Sequence, residues 1–203
     1  MNRMASVISI EGLTASSRSG GHLVDLILQV EEGECVVLQD WGKDQVRTLY
    51  RVLDGEVWPE NGDVRIADGK KLGFMIEEPM YHDTSNLYDE LSWIRDLQGG
   101  ARNLELPMIS DIVKMMGFES LADRTRTLKS YSPGEIIRYG MAAALLQGPA
   151  AIVLDGPFDQ CHENDSEAVR NALLRIKESG VAILFDCDDE KTVEGLVDRV
   201  IRL

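Results

Sequence analysis

With 203 residues and 44% hydrophobic side chains, the chain is long enough for one domain around a sizeable core, with room for a small insertion. A formal charge of −14 without any cluster of Lys and Arg excludes nonspecific nucleic-acid binding and attachment to an anionic membrane surface. No run of about 18 apolar residues occurs, and strand-like Val7-Ile8-Ser9-Ile10 follows the first residues without an apolar leader core, so the expectation is a cytoplasmic protein with no membrane insertion.

Alternating apolar and polar residues predict half-buried strands over residues 7–13 and 23–30, separated by the turn-rich Ser16-Ser17-Arg18-Ser19-Gly20-Gly21. The apolar, β-branched Cys35-Val36-Val37-Leu38 reads as a buried parallel strand. A loop is predicted over 40–44 and a helix over 45–53, with Val46, Leu49, Val52 and Leu53 on one face. Strands follow at 63–66 and 71–76. Residues 83–128 read as mostly helical, with a kink at Leu106-Pro107, and Ser132-Pro133-Gly134 opens a helix over 135–147. Strands at 150–154 and 181–185 then alternate with helices at 165–179 and 190–196, and a strand at 199–203 closes the chain. This alternation predicts an α/β fold with a mainly parallel sheet.

The cysteines, Cys35, Cys161 and Cys187, are odd in number and widely spaced, which predicts neither a disulfide framework nor a zinc motif. Adjacent Cys161 and His162 fall short of the three or four convergent ligands that a metal site needs.

Four stretches appear in a telling order. They are Val30-Glu31-Glu32-Gly33-Glu34-Cys35-Val36-Val37-Leu38; Thr48 to Gly55 with Pro59-Glu60-Asn61-Gly62-Asp63-Val64; Leu145 to Pro157; and Leu196-Val197-Asp198-Arg199-Val200-Ile201. Together they resemble the nucleotide-binding domain of ABC transporters over nearly the whole chain. The resemblance implies a P-loop NTPase fold: a mainly parallel sheet, antiparallel N-terminal strands, and a helical subdomain inserted at about 83–130 of a single domain spanning 1–203.

The resemblance also locates the ATP-site motifs, and there the residues depart from it. The phosphate loop falls on Asp40-Trp41-Gly42-Lys43-Asp44-Gln45-Val46-Arg47-Thr48. A working loop needs glycines, a lysine on the β- and γ-phosphates and a hydroxyl on Mg²⁺. Asp40 and Gln45 stand at glycine positions, Val46 at the lysine and Arg47 at the hydroxyl, with Thr48 one residue beyond. A carboxylate ~4 Å from a phosphate charge is repelled by about 4 kcal/mol at an effective dielectric near 20. Gly42-Lys43 could serve as a shifted phosphate grip; otherwise Lys43 is a solvated loop lysine pairing with Asp40 or Asp44. The Q-loop glutamine falls on Glu77.

The signature loop falls on Ser132-Pro133-Gly134-Glu135, which reads better as a helix cap with Pro133 in the first turn. Walker B keeps Asp155, the magnesium-site aspartate. It is followed by Gly156 where a glutamate would polarise water, a loss of ~10²–10⁴-fold in general-base catalysis. The D-loop aspartate falls on His162 and the switch histidine on Cys187. Asp155 can be structural, accepting N–H bonds beyond its strand, or can share a cation with Asp186 and Asp188.

The expected function is therefore a non-catalytic, ABC-ATPase-like binding or regulatory subunit with no cofactor. Its partner would be another ABC-type ATPase subunit, a membrane permease or another complex component. The alternative is an ATP-binding subunit of an ABC transporter or ABC-type enzyme complex with an unorthodox site, holding ATP and Mg²⁺. A third possibility is a sensor of a cation or small ligand in the old cleft. Met80, Met108, Met115 and Met116 suit either an adaptable interface or the core, as do Trp41, Trp58 and Trp93.

Overall fold

A computed structural model describes residues 6–18, 20–99, 106–159 and 161–202. Strands β1 (Ser6–Ser16), β2 (His22–Glu31) and β4 (Asn61–Ile66) form an antiparallel sheet in the order β2-β1-β4. A second sheet is wholly parallel, in the order β5-β6-β7-β3-β8, and combines β3 (Cys35–Gln39), β5 (Leu72–Met75), β6 (Ala151–Leu154), β7 (Ala182–Asp186) and β8 (Arg199–Arg202). The predicted α/β class, with its antiparallel N-terminal strands, is the architecture observed.

Residue alternation on the parallel strands divides the core. Cys35, Val37, Ile152, Leu154, Ile183 and Phe185 face one way, toward helices α5 (Pro133–Leu145) and α6 (Glu163–Glu178). Val36, Leu38, Ala151, Val153, Ala182 and Leu184 face the other, toward α1 (Lys43–Leu53) and the antiparallel sheet. A strand buried on both faces needs an unbroken apolar run, and each of these strands carries one. The C-terminal ends of β3, β6 and β7 lie side by side, so the loops leaving them, including 40–42 and 155–159, share one rim. In open α/β sheets this is the edge where ligands bind.

Three local expectations change. Helix α1 begins at Lys43, two residues early, so Lys43 and Asp44 belong to its first turn and not to a loop. The stretch expected to be one kinked helical region is three helices, α2 (Leu87–Leu97), α3 (Ile109–Met115) and α4 (Leu121–Thr125). Pro107 lies just ahead of α3, where a missing N–H costs nothing; residues 100–105 lie outside the described residues. The last helix, α7 (Glu190–Val193), stops short: Glu194 already turns to ψ 126°, and Gly195 follows at φ +70°. Leu203, expected in the closing strand, is also outside the described residues. Trp41 and Met116 are core residues and Met115 is half-buried, whereas Met80, Met108, Trp58 and Trp93 are exposed.

Strand β5 meets α5 so closely that a Cβ built on Gly73 would lie 2.2 Å from the carbonyl oxygen of Ala144. Backbone cannot yield there as a side chain can. Gly73→Ala is expected to lower unfolding stability by about 1–3 kcal/mol, the usual cost of overpacking, read as a shifted urea midpoint with unchanged slope.

Candidate functional site

The rim loops hold an ion-pair network around two aspartates. Asp155 leaves β6 and Asp186 ends β7. Arg47, on α1, places its Nε 3.2 Å from Asp155 Oδ2. Lys43, the first residue of α1, donates to Asp186 Oδ2 at 2.9 Å and to Asp159 Oδ2 at 2.6 Å. Asp186 is buried, and its other oxygen accepts from the Gly156 amide at 2.8 Å and from the Tyr50 hydroxyl at 3.3 Å. The expected pairing of Lys43 with Asp40 or Asp44 does not form. Helix α1 starts early enough to aim Lys43 across the rim instead of into its own loop.

Gly156 makes this approach possible. It sits at φ +51°, and a Cβ there would come within 2.4 Å of Asp159 Oδ2. A side chain in the left-handed region is strained, and one at this spot would push Asp159 off Lys43. The residue standing where a catalytic glutamate is expected thus serves the geometry of an ion pair.

The amides that would wrap a phosphate also have partners. The Asp40 N–H donates to Asp188 Oδ1 at 3.1 Å, and the Gly42 N–H donates to Gln45 Oε1 at 3.0 Å. Asp40 itself takes φ +61° and pairs with Arg202 at 3.3 Å. Thr48 donates to the Asp44 carbonyl at 2.7 Å and meets Ser17 Oγ at 2.8 Å. Gly21 lies so close that a Cβ would fall 2.0 Å from the Asp44 carbonyl oxygen and 2.2 Å from Thr48 Oγ1. The β1–β2 loop therefore rests on the first turn of α1.

Charge regulation follows from these contacts. Burial raises the Asp155 carboxyl above its ordinary value and neighbouring Asp186 adds to the rise, while Arg47 pulls it back in part. For Lys43, burial acts to lower the ammonium's value, but its bonds to Asp159 and Asp186 outweigh that and raise it. Lys43 therefore stays cationic at neutral pH. Asp155 accepts from Arg47, not from the backbone beyond its strand. The shared cation suggested for Asp155, Asp186 and Asp188 has no support: the first two hold side-chain cations, and no group of three His, Cys, Asp or Glu side chains gathers as a metal site among the described residues.

The remaining candidates are spread out. Glu77 is exposed on the rim of a cavity of about 550 Å³ that Asp155 also lines. Ser132 caps α5: its N–H donates to Glu135 Oε2 at 2.8 Å, and its hydroxyl accepts from the Glu135 N–H and donates to Asp165 Oδ1 at 2.9 Å. Gly134 N–H points to Asp165 Oδ2 at 3.4 Å, and Glu135 pairs with Arg126. Cys187 is buried and its thiol is pushed up, chiefly by burial. Asp159, Tyr50, Ser17 and Gly21 were not candidates from sequence, and Asp186 was one only as a sharer of a cation with Asp155 and Asp188. The signal available was Arg47, a cation where the resemblance places a hydroxyl.

A parallel sheet carrying a strand–loop–helix unit at its carboxyl edge, with a helical insertion before α5, defines an α/β fold of the P-loop NTPase type. No family model matches the chain. It is 24% identical over 200 residues to the uncharacterized ABC transporter ATP-binding protein YxlF of Bacillus subtilis, covering 96% of this chain and 67% of that one. It is also 24% identical over 216 residues to the Fe(3+) ions import ATP-binding protein FbpC 2 of Haemophilus influenzae, covering 98% and 60%. The structure superposes on cbiO1 of Clostridium perfringens, part of the ABC transporter complex cbiONQ, with a TM-score of 0.78 at 18% identity over 97% of this chain and 84% of that one. The chain thus has the fold of an ABC transporter ATP-binding domain, and it spans about two thirds or less of these curated relatives' own length.

Because folding raises the Asp155 pKa, this carboxyl's contribution to stability is fully present below the ordinary value of 3.8 and is lost as pH rises through the folded value. Asp155→Asn is therefore expected to raise the melting temperature at pH 7. The gain should vanish in scans taken below the ordinary carboxyl value. A lower melting temperature at pH 7 would mean that the Arg47 pair outweighs the burial cost.

Proposed function

We propose that the chain is a non-hydrolysing, ABC-ATPase-like subunit whose nucleotide site is closed by its own side chains and whose role is to bind or regulate a partner. The observation that carries this reading is the Arg47 guanidinium on Asp155. Asp155 is where the resemblance expects the carboxylate of a magnesium site, and here a protein cation takes that place. Lys43 is likewise committed to Asp159 and Asp186, and the loop amides of Asp40 and Gly42 are bonded to side-chain oxygens. The residues present do not fit Mg²⁺ and a triphosphate, so no hydrolytic step is drawn through them. ATP would have to displace Lys43 from two carboxylates and approach Asp40 and Asp44 with like charge. No cofactor is expected.

The partner of such a subunit would be another ABC-type ATPase subunit or a membrane component, as cbiO1 belongs to a transporter complex. No helix among the described residues is long and apolar enough to cross a membrane, which is consistent with a place on the cytoplasmic face of an assembly. The relatives, which are ATP-binding proteins of ABC transporters, favour a second reading: an ATP-binding subunit that engages nucleotide after the network rearranges.

Calorimetric titration with Mg-ATP separates the two. The first reading expects no binding tighter than ~100 μM, equivalent to about −5.5 kcal/mol. The combined change Asp40→Gly, Gln45→Gly, Val46→Lys and Arg47→Thr is expected to bring affinity up by restoring the glycines, lysine and hydroxyl that a phosphate loop uses. Tight binding by the unaltered chain, lost in Lys43→Met, would establish the second reading instead.

A further inference from the structure

The cavity beside the ion-pair network is lined by side chains of both signs, Arg47 and Arg51 against Glu77, Glu78, Asp155 and Asp159. On one wall Arg47 and Arg51 stand one turn apart on the same face of α1. Arg47 spends only its Nε on Asp155, and Arg51 Nε lies 3.7 Å from Glu56, beyond hydrogen-bond range. On another wall the segment after β5 presents Glu77 and Glu78, which make no hydrogen bond or ion pair among the described residues. The four groups line one cavity, yet neither glutamate comes within ion-pair distance of either arginine. The cavity is apolar in part, lined by Met75 and by Ile136 and Ile137 of α5. Its volume of about 550 Å³ is that of a small-molecule site.

We infer that this cavity binds a small zwitterion with an apolar body, of the α-amino-acid type, bridging the arginine and glutamate walls. A carboxylate takes the guanidinium N–H groups that Arg47 and Arg51 leave free, and its planar oxygens match that fork. An ammonium takes Glu77 and Glu78. The side chain covers Met75, Ile136 and Ile137. Neither a simple anion nor a simple cation satisfies both walls, and the triphosphate of ATP places its charge against Glu77, Glu78 and Asp155. The inference rests on the reading of the neighbouring phosphate loop as closed to nucleotide.

The test is calorimetry on the full chain with L-leucine, N-acetyl-leucine, leucine methyl ester and Mg-ATP, each taken to concentrations on the order of 10 mM. Leucine is expected to bind. The acetylated form, which lacks the ammonium, and the ester, which lacks the carboxylate, should each bind at least about tenfold more weakly, the loss of one charge-assisted contact. Arg51→Gln and the double change Glu77→Gln with Glu78→Gln should each weaken leucine by about tenfold, with thermal melts confirming that both variants fold. Silence with leucine, or equal binding of the two blocked forms, overturns the inference. If leucine and ATP are both silent, only the zwitterion site falls; if ATP alone binds tightly, the closed-site reading falls with it.

Discussion

The site is governed by one electrostatic requirement: the carboxylates that the sheet brings together at its rim must be neutralised. Parallel β6 and β7 end side by side, and each leaves an aspartate there, Asp155 and the buried Asp186. Two such charges without a cation would cost several kcal/mol, since a buried charge stripped of its partner is worth about 3–5 kcal/mol of lost stability. Here Arg47 and Lys43 are delivered by the first turns of α1. Both bases are about half exposed, so each pair in itself adds only about 0–1 kcal/mol. Their importance lies in what their absence would leave behind.

This requirement connects several odd residues. Gly156 lets Asp159 approach, Asp159 and Asp186 together hold Lys43, and Lys43 can reach them because α1 begins two residues early. Gln45 satisfies the Gly42 amide from within the helix, and Asp188 satisfies the Asp40 amide from beyond β7. A phosphate loop normally leaves such donors free for a ligand. In this chain they are already bonded, and the loop between β1 and β2 sits on the helix start through Gly21 and Ser17. The same fold that elsewhere assembles an anion site around a lysine here assembles cations around carboxylates.

The cavity next to this network remains open because its charges are held apart. Arg47 takes part in both: its Nε meets Asp155 Oδ2, and the residue lines the cavity. Asp155 lines the same cavity, so the network and the cavity share this pair.

The strands and the α/β class were legible in the sequence because they follow from local rules, whereas the strand order came only with the fold. Short apolar, β-branched runs such as Cys35–Leu38 suit strands buried on both faces, and alternation over β1 and β2 marks a half-buried sheet. The departures from the resemblance, at Asp40, Gln45, Val46 and Arg47 in the loop and at Gly156 after Asp155, were equally plain, since they are matters of residue identity. What the chain does with those departures was not. The partners of Lys43 lie 116 and 143 residues away and that of Arg47 lies 108 residues away. A charge finds its partner through the register of the sheet and the start point of a helix, and neither is encoded within the few residues around it. Only the folded arrangement could decide that the lysine and arginine near the loop turn inward to aspartates.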